Sequence, residues 1–237
     1  MTRLQVNLAA VLCGLAVILA CAPSGDARQG AESSAVVRTD TAAIASRQAP
    51  KDSDLVKADL SRIQGSATAP VWVIEVSDFQ CPYCKQWHDE TYQTLRNEYV
   101  RTGKVRLAYV NFPLAQHQYA WPAAESAMCA GAQGKFWEMH DALFNTQAKW
   151  EALPSPATFF DSLARAQGVD IQRWHACVQS GKMKSTIQAD HDRAQIAGAG
   201  STPSFMIGEK LLVGAQPIAD LRRAIDSAMV KSGKTTP

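Results

Sequence analysis

The 237-residue sequence has almost no net charge: 24 Lys and Arg face 22 Asp and Glu, giving +2 at pH 7. Nucleic-acid binding, which needs a basic patch or stripe, finds no support. Paired cysteines are scarce too. The six cysteines supply one CxxC and no second CxxC or Cys/His pair, so a four-ligand zinc site has too few ligands. His88, His117, His175 and His191 show no metal-ligand spacing, and His140 falls on an apolar face, as a satisfied core histidine does. No metal and no cofactor are predicted. Long apolar runs are missing as well, since the stretch from Leu8 to Ala20 is short for a membrane span. Residues 22–52 have almost no large apolar side chain and can hardly bury enough surface to fold.

What is present at the N-terminus is an export pattern. Arg3 is the positive end, Leu8 to Ala20 the apolar run, and Ile18-Leu19-Ala20-Cys21 resembles the bacterial lipobox, with isoleucine where leucine is usual. Residues 1–20 are read as a lipoprotein signal peptide and Cys21 as the lipidated first residue of the mature chain. The alternatives are a cleaved secretory signal that leaves Cys21 free, or an uncleaved anchor. Each places the folded part outside the cytoplasm, where disulfides persist. With Arg3 removed, 23 basic side chains balance 22 acidic ones. Residues 21–53 are read as a flexible tether reaching roughly 30 Å. The folded domain is placed at 54–232 and a short tail at 233–237.

The chain is organised around Phe79-Gln80-Cys81-Pro82-Tyr83-Cys84. Before it, Val71 to Val76 is β-branched and aromatic enough for a buried strand. After it, Cys84 to Val100 has apolar residues at helical spacing, including Trp87, Thr91, Leu95 and Tyr99. The motif therefore caps a helix, and Pro82 suits a first turn. A thiol at that end faces unpaired N–H groups and the positive end of the helix dipole, both of which favour thiolate. Cys81 is the expected attacking sulfur and Cys84 the deeper, resolving one. A static disulfide, or half of a zinc site, are the competing readings. Glu75 breaks the apolar strand. Buried, it needs a partner or a raised pKa and can exchange protons with Cys84; on an edge strand it faces water.

Further on, a short helix is predicted within 54–64, with Leu55, Leu60 and Ile63 on one side. A second strand carries Val105, Leu107 and Tyr109 and ends at Pro113, closing a parallel crossover unit. Helices follow throughout about 115–198. Cys129 and Cys177 lie near core-facing stripes of two of them, as a structural disulfide or as two packed thiols. Ser204 to Val213 reads as a hairpin turning at Gly208, with Pro203 at its start arguing for an edge strand or a deliberate end to pairing. A last helix carries Ile218, Leu221, Ile225 and Met229.

Asp78 to Cys84, Gln133-Gly134-Lys135-Phe136-Trp137 with His140 to Phe144, and Thr202-Pro203-Ser204-Phe205 with Gly214 carry a resemblance that spans almost the whole folded part. The chain resembles the thioredoxin fold with an inserted α-helical domain, an α/β class, and more closely the DsbA-like thiol–disulfide oxidoreductases of the bacterial envelope. The resemblance implies that Cys81 is an exposed nucleophile, Cys84 its partner and Glu75 the buried acid of the fold. It implies a cis bond before Pro203, with Thr202 pairing with a bound chain and Pro82 and Tyr83 beside it. Tyr83 stands where a histidine often sits, and Thr202 where a valine often precedes the proline. Without the histidine's charge, a potential between roughly −120 and −270 mV is expected.

The resulting expectation is a tethered dithiol oxidase of the periplasmic side. It would pass the Cys81–Cys84 disulfide to exported proteins with free cysteines and be reoxidised by a membrane partner. A reductase or isomerase, and an envelope copper module binding Cu(I) through the two thiolates, are the alternatives.

Overall fold

A computed structural model describes residues 52–233. The export signal, Cys21, most of the tether and the last four residues of the tail lie outside the described residues. Among those described, no helix is long and apolar enough to cross a membrane.

The sheet has five strands, β1 (Ile63–Gln64), β2 (Val71–Ser77), β3 (Val105–Asn111), β4 (Ser204–Ile207) and β5 (Lys210–Val213), in the order β1-β3-β2-β4-β5. Only β2 and β3 run parallel, joined by the crossover that the sequence predicts. Glu75 on β2 lies opposite Tyr109 on one side and Phe205 on the other. It is therefore on a central strand, not an edge. β3 alternates strictly: Val105, Leu107, Tyr109 and Asn111 are buried and the residues between them are only partly covered. The hairpin turns at Gly208, whose φ of 59° is the left-handed value a tight primed turn requires.

Helix α1 (Ser53–Ser61) opens the domain, capped by the Asp52 side chain accepting from the Asp54 N–H at 2.8 Å. The helix thus begins one residue inside the predicted tether. Its face also differs from the expectation. Ala58 is buried, Leu60 is 61 % exposed, and Ile63 has left the helix to pair in β1 with Ala108. Small Ala58 packs closely against the insertion, which a count of large apolar residues passes over.

Helix α2 runs over residues 82–100 and widens twice to i→i+5 turns, at His88–Tyr92 and Arg96–Val100. Trp87, Thr91, Leu95 and Tyr99 recur every four residues and are all buried. In a regular helix such a series rotates by about 40° per step. The wider turns keep it facing the sheet. Together with Leu221, Ile225 and Met229 of the last helix, α9 (Ile218–Lys231), Trp87, Leu95 and Tyr99 cover Val71, Val73, Leu107 and Phe205.

Between β3 and β4 lie α3 (Ala120–Gly131), α4 (Phe136–Asn145), α5 (Gln147–Trp150), α6 (Ala157–Ala166), α7 (Ile171–Ser180) and α8 (Lys184–Ile196). They enclose their own core around Met128, Phe136, Leu143, Phe160 and Trp174, which continues into Phe79, Cys81 and Cys84. A disulfide joins Cys129 of α3 to Cys177 of α7, with Cα atoms 5.8 Å apart. The mixed sheet with its helical insertion is the predicted α/β architecture.

Candidate active site

The site forms where β2 ends and α2 begins. Cys81 is the N-cap residue of α2, in an extended conformation, and Pro82 takes the first helical position. Asp78 shapes the connecting turn: one carboxylate oxygen accepts from Gln80 N–H at 2.7 Å, the other from Leu114 N–H at 2.9 Å and from His117 Nδ1 at 2.7 Å. Gln80 Oε1 in turn accepts from Tyr119 N–H at 2.6 Å. Gln147, on α5, donates to the carbonyls of Phe79 at 2.7 Å and Cys81 at 3.1 Å. The insertion thus holds the motif from above.

The two sulfurs are free thiols. Cys81 is held down to about 6, first by the hydrogen bond from the Cys84 thiol, against the opposing effect of burial, then by Thr202 and the backbone N–H groups of Cys84 and Tyr83. Cys84 has no exposed surface, and burial first, then the Cys81 sulfur, push it well above a free thiol. One proton shared between the pair thus rests on Cys84.

Cys81 is not the exposed residue the resemblance implies. Only 3 % of it reaches solvent, because the Thr202-Pro203 turn lies across it, with Sγ 3.4 Å from the Thr202 carbonyl oxygen. The Thr202–Pro203 bond is cis. Pro203 precedes β4, a strand paired on both sides, and its carbonyl accepts from Gly214 N–H at 2.8 Å. The proline therefore ends the pairing rather than marking an edge. Thr202 is buried, its hydroxyl near enough to lower the Cys81 thiol yet outside full hydrogen-bond geometry, while Tyr83 is 63 % exposed beside the covered sulfur.

Glu75 has no exposed surface, and neither carboxylate oxygen has a hydrogen-bond partner. Burial foremost lifts it to about 7, opposed by Ser77 and His88 and assisted by Asp141. Ser77, two residues along the same face, acts on Cys84 as well as on Glu75, and Tyr109 is pushed up by burial, then by both. Glu75 and Cys84 thus both lie near Ser77 and Tyr109 under the motif.

Sequence reasoning missed Asp78, His117 and Gln147. Asp78 had a local signal, a carboxylate two residues before an N–H it could accept from. Gln147 had none, because its partners lie 66 and 68 residues away. His140 is fully buried, as its apolar face implies, and the fold also brings it beside His88 and Asp141.

Comparison with known proteins places these features together. The family described as Thioredoxin matches residues 57–227. A Na(+)/H(+) antiporter NhaA 1 of Salinispora arenicola is 34 % identical over 178 residues, 73 % of this chain but 25 % of that protein. The chain thus spans about a quarter of that antiporter's length. A Bacillus anthracis protein named "Probable disulfide bond formation protein D" is 28 % identical over 200 residues, covering 83 % of this chain and 91 % of its own. The crystal structure of oxidised BdbD from Bacillus subtilis superimposes with a TM-score of 0.65 at 20 % identity, covering 74 % of this chain and 95 % of that one.

Proposed function

The chain belongs to the thioredoxin family, and from its site we infer that it is a thiol–disulfide oxidoreductase of the DsbA-like kind, working as a dithiol oxidase. The observation that carries this reading is the contrast between two adjacent sulfurs, Cys81 held down to about 6 and Cys84 held well above a free thiol, opposite a cis Thr202-Pro203 turn.

In the oxidised enzyme, a client thiolate attacks Cys81 Sγ. A client–Cys81 disulfide forms, and Cys84 leaves as a thiolate and takes up a proton, for which Glu75, buried beneath the motif and lifted to about 7, is the donor. The client's second thiolate then attacks its own bridged sulfur. This forms the client disulfide and releases Cys81 as thiolate. Two electrons have passed from client to enzyme. A low thiol pKa makes Cys81 a good leaving group and stabilises the reduced enzyme, which favours transfer in this direction. A value of about 6 lies between those of about 3.5 for a strong oxidase and about 7 for thioredoxin, supporting an intermediate potential.

The clients are exported proteins with cysteine pairs, whose backbone pairs with Thr202 while Pro82, Tyr83 and Pro203 line the contact. The Bacillus relative's name supports disulfide formation as the outcome. The export pattern supports a periplasmic site, tethered through lipid on Cys21, and a membrane partner as reoxidant.

The test is catalysed oxidation of a reduced, unfolded cysteine-containing protein, together with the equilibrium potential against glutathione. Oxidase activity lost in Cys81→Ser and a potential well above the thioredoxin end are expected. A potential at that end, with efficient insulin reduction, would turn the assignment to reductase. Cys84→Ala in cells should accumulate clients disulfide-linked to Cys81.

A further inference from the structure

Four residues past Cys84, on the first wide turn of α2, His88 meets His140 and Asp141 of α4. One nitrogen of each ring and a carboxylate oxygen of Asp141 lie within 4.8 Å of one another. His140 Nδ1 is 2.8 Å from Asp141 Oδ1, and His88 Nε2 is 3.5 Å from the same oxygen. Ligands about 2.0 Å from a tetrahedral ion stand about 3.3 Å apart, a spacing these two gaps bracket.

The hydrogen bonding around His88 points the same way. Its Nδ1 is 3.2 Å from Asp89 Oδ1 and its Nε2 faces Asp141, so the ring lies between two carboxylates, which only accept. A neutral imidazole has one N–H. If Nδ1 donates to Asp89, as second-shell carboxylates do for metal-bound histidines, the Nε2 lone pair faces the Asp141 oxygen and a cation belongs between them. His140 Nδ1–H donates to Asp141, while its Nε2 is buried without a partner. The proton can therefore move to Nε2 and free Nδ1 without breaking another hydrogen bond.

The surroundings are those of a metal site rather than of a loose surface pair. His88 stacks on Tyr92 and Phe144, and His140 packs against Phe79, Trp137 and Phe144, so the ring positions are fixed and dry. Asp141 retains 27 % side-chain exposure and is the way in, with the Arg96 guanidinium 4.0 Å away as the competing cation.

We propose that His88, His140 and Asp141 form a binding site for a divalent first-row transition ion of the zinc class, separate from the two sulfurs. Two imidazoles and one carboxylate suit such an ion and leave one tetrahedral position open. The proposal does not depend on the direction of thiol exchange.

The test uses the full chain carrying Cys13→Ser and Cys21→Ser, with Cys81 and Cys84 closed as a disulfide, so that thiolates cannot bind the metal. Titration with zinc chloride near pH 8, followed by calorimetry and thermal unfolding, should show one ion per chain and a rise in unfolding temperature. In Asp141→Asn and in His88→Gln the affinity should fall at least about tenfold, with His175→Gln unchanged. Because a core variant can unfold the domain, the wild type carries its own readout: zinc should shift the imidazole nitrogen resonances of His88 and His140 but not those of His175. Silent His88 and His140 resonances at millimolar zinc, equal binding by Asp141→Asn, or a proton found on both nitrogens of His88 at pH 8 would overturn the site.

Discussion

At Cys81 burial and hydrogen bonding pull in opposite directions, and the hydrogen bonds prevail. The consequence can be read from pH. Alkylation of the reduced protein should follow thiolate formation with a midpoint of about 6, and a midpoint near the free-thiol value of about 8.5 would contradict the geometry. The same depression makes the reduced fold gain stability above the free-thiol value and lose it as pH falls through about 6. Glu75 has the opposite sign. Raised to about 7 from 4.5, it favours the folded state below 4.5, and that advantage is lost as pH rises through 7, a difference on the order of 3 kcal/mol. Glu75→Gln should flatten that part of the stability profile in denaturant titrations between pH 4 and 8. It should also slow the step that protonates Cys84. Both sulfurs and the acid were legible in the sequence, because a CxxC between strand and helix and a carboxylate in an apolar run each break a local rule. Gln147 breaks none. Its removal in Gln147→Ala leaves the Phe79 carbonyl short of a donor, while the Cys81 carbonyl keeps the Lys85 N–H at 3.1 Å, and a loss of about 1–3 kcal/mol is expected in chemical unfolding.

Among the elements, those with strong periodicity could be read and those defined by their neighbours could not. β2, β3, α2 and α9 announce themselves by alternation or by a stripe. β1 has two residues and exists only because β3 offers an edge, so no pattern precedes it. The wide turns of α2 are also invisible beforehand, since a four-residue recurrence fits a regular helix nearly as well over one or two turns. The insertion is held by packing and by the Cys129–Cys177 bridge, which closes a span of 48 residues. Replacing both cysteines by alanine should cost roughly 4 kcal/mol in the chain-entropy account, read as a lower unfolding midpoint. The alkylation midpoint of Cys81 should not move, because the groups that set it are Cys84, Thr202 and the nearby backbone N–H groups, not either bridge cysteine. A shifted midpoint would show that the insertion's rigidity sets the acidity of the site.

Across the whole molecule, sheet and insertion are also joined at the end of β3, beside β2 where the motif begins, by a buried carboxylate. Asp190 of α8 accepts from Arg62, from Asn111 Nδ2 at 2.9 Å and from Arg193 at 2.8 Å. Asp190→Ala removes the buried partner of Arg62, which keeps Asp59 at 2.8 Å and the Tyr109 carbonyl at 3.2 Å, and leaves Asn111 Nδ2 without its acceptor; a loss of about 1–3 kcal/mol is expected. On the motif side Gln147 reaches down to the carbonyls of Phe79 and Cys81, beside the bonds from Tyr119 N–H to Gln80 and from His117 to Asp78. A load placed on the helical lobe would therefore reach the motif through several bonds at once, and the lobe and the sulfur-bearing turn would shift as one piece.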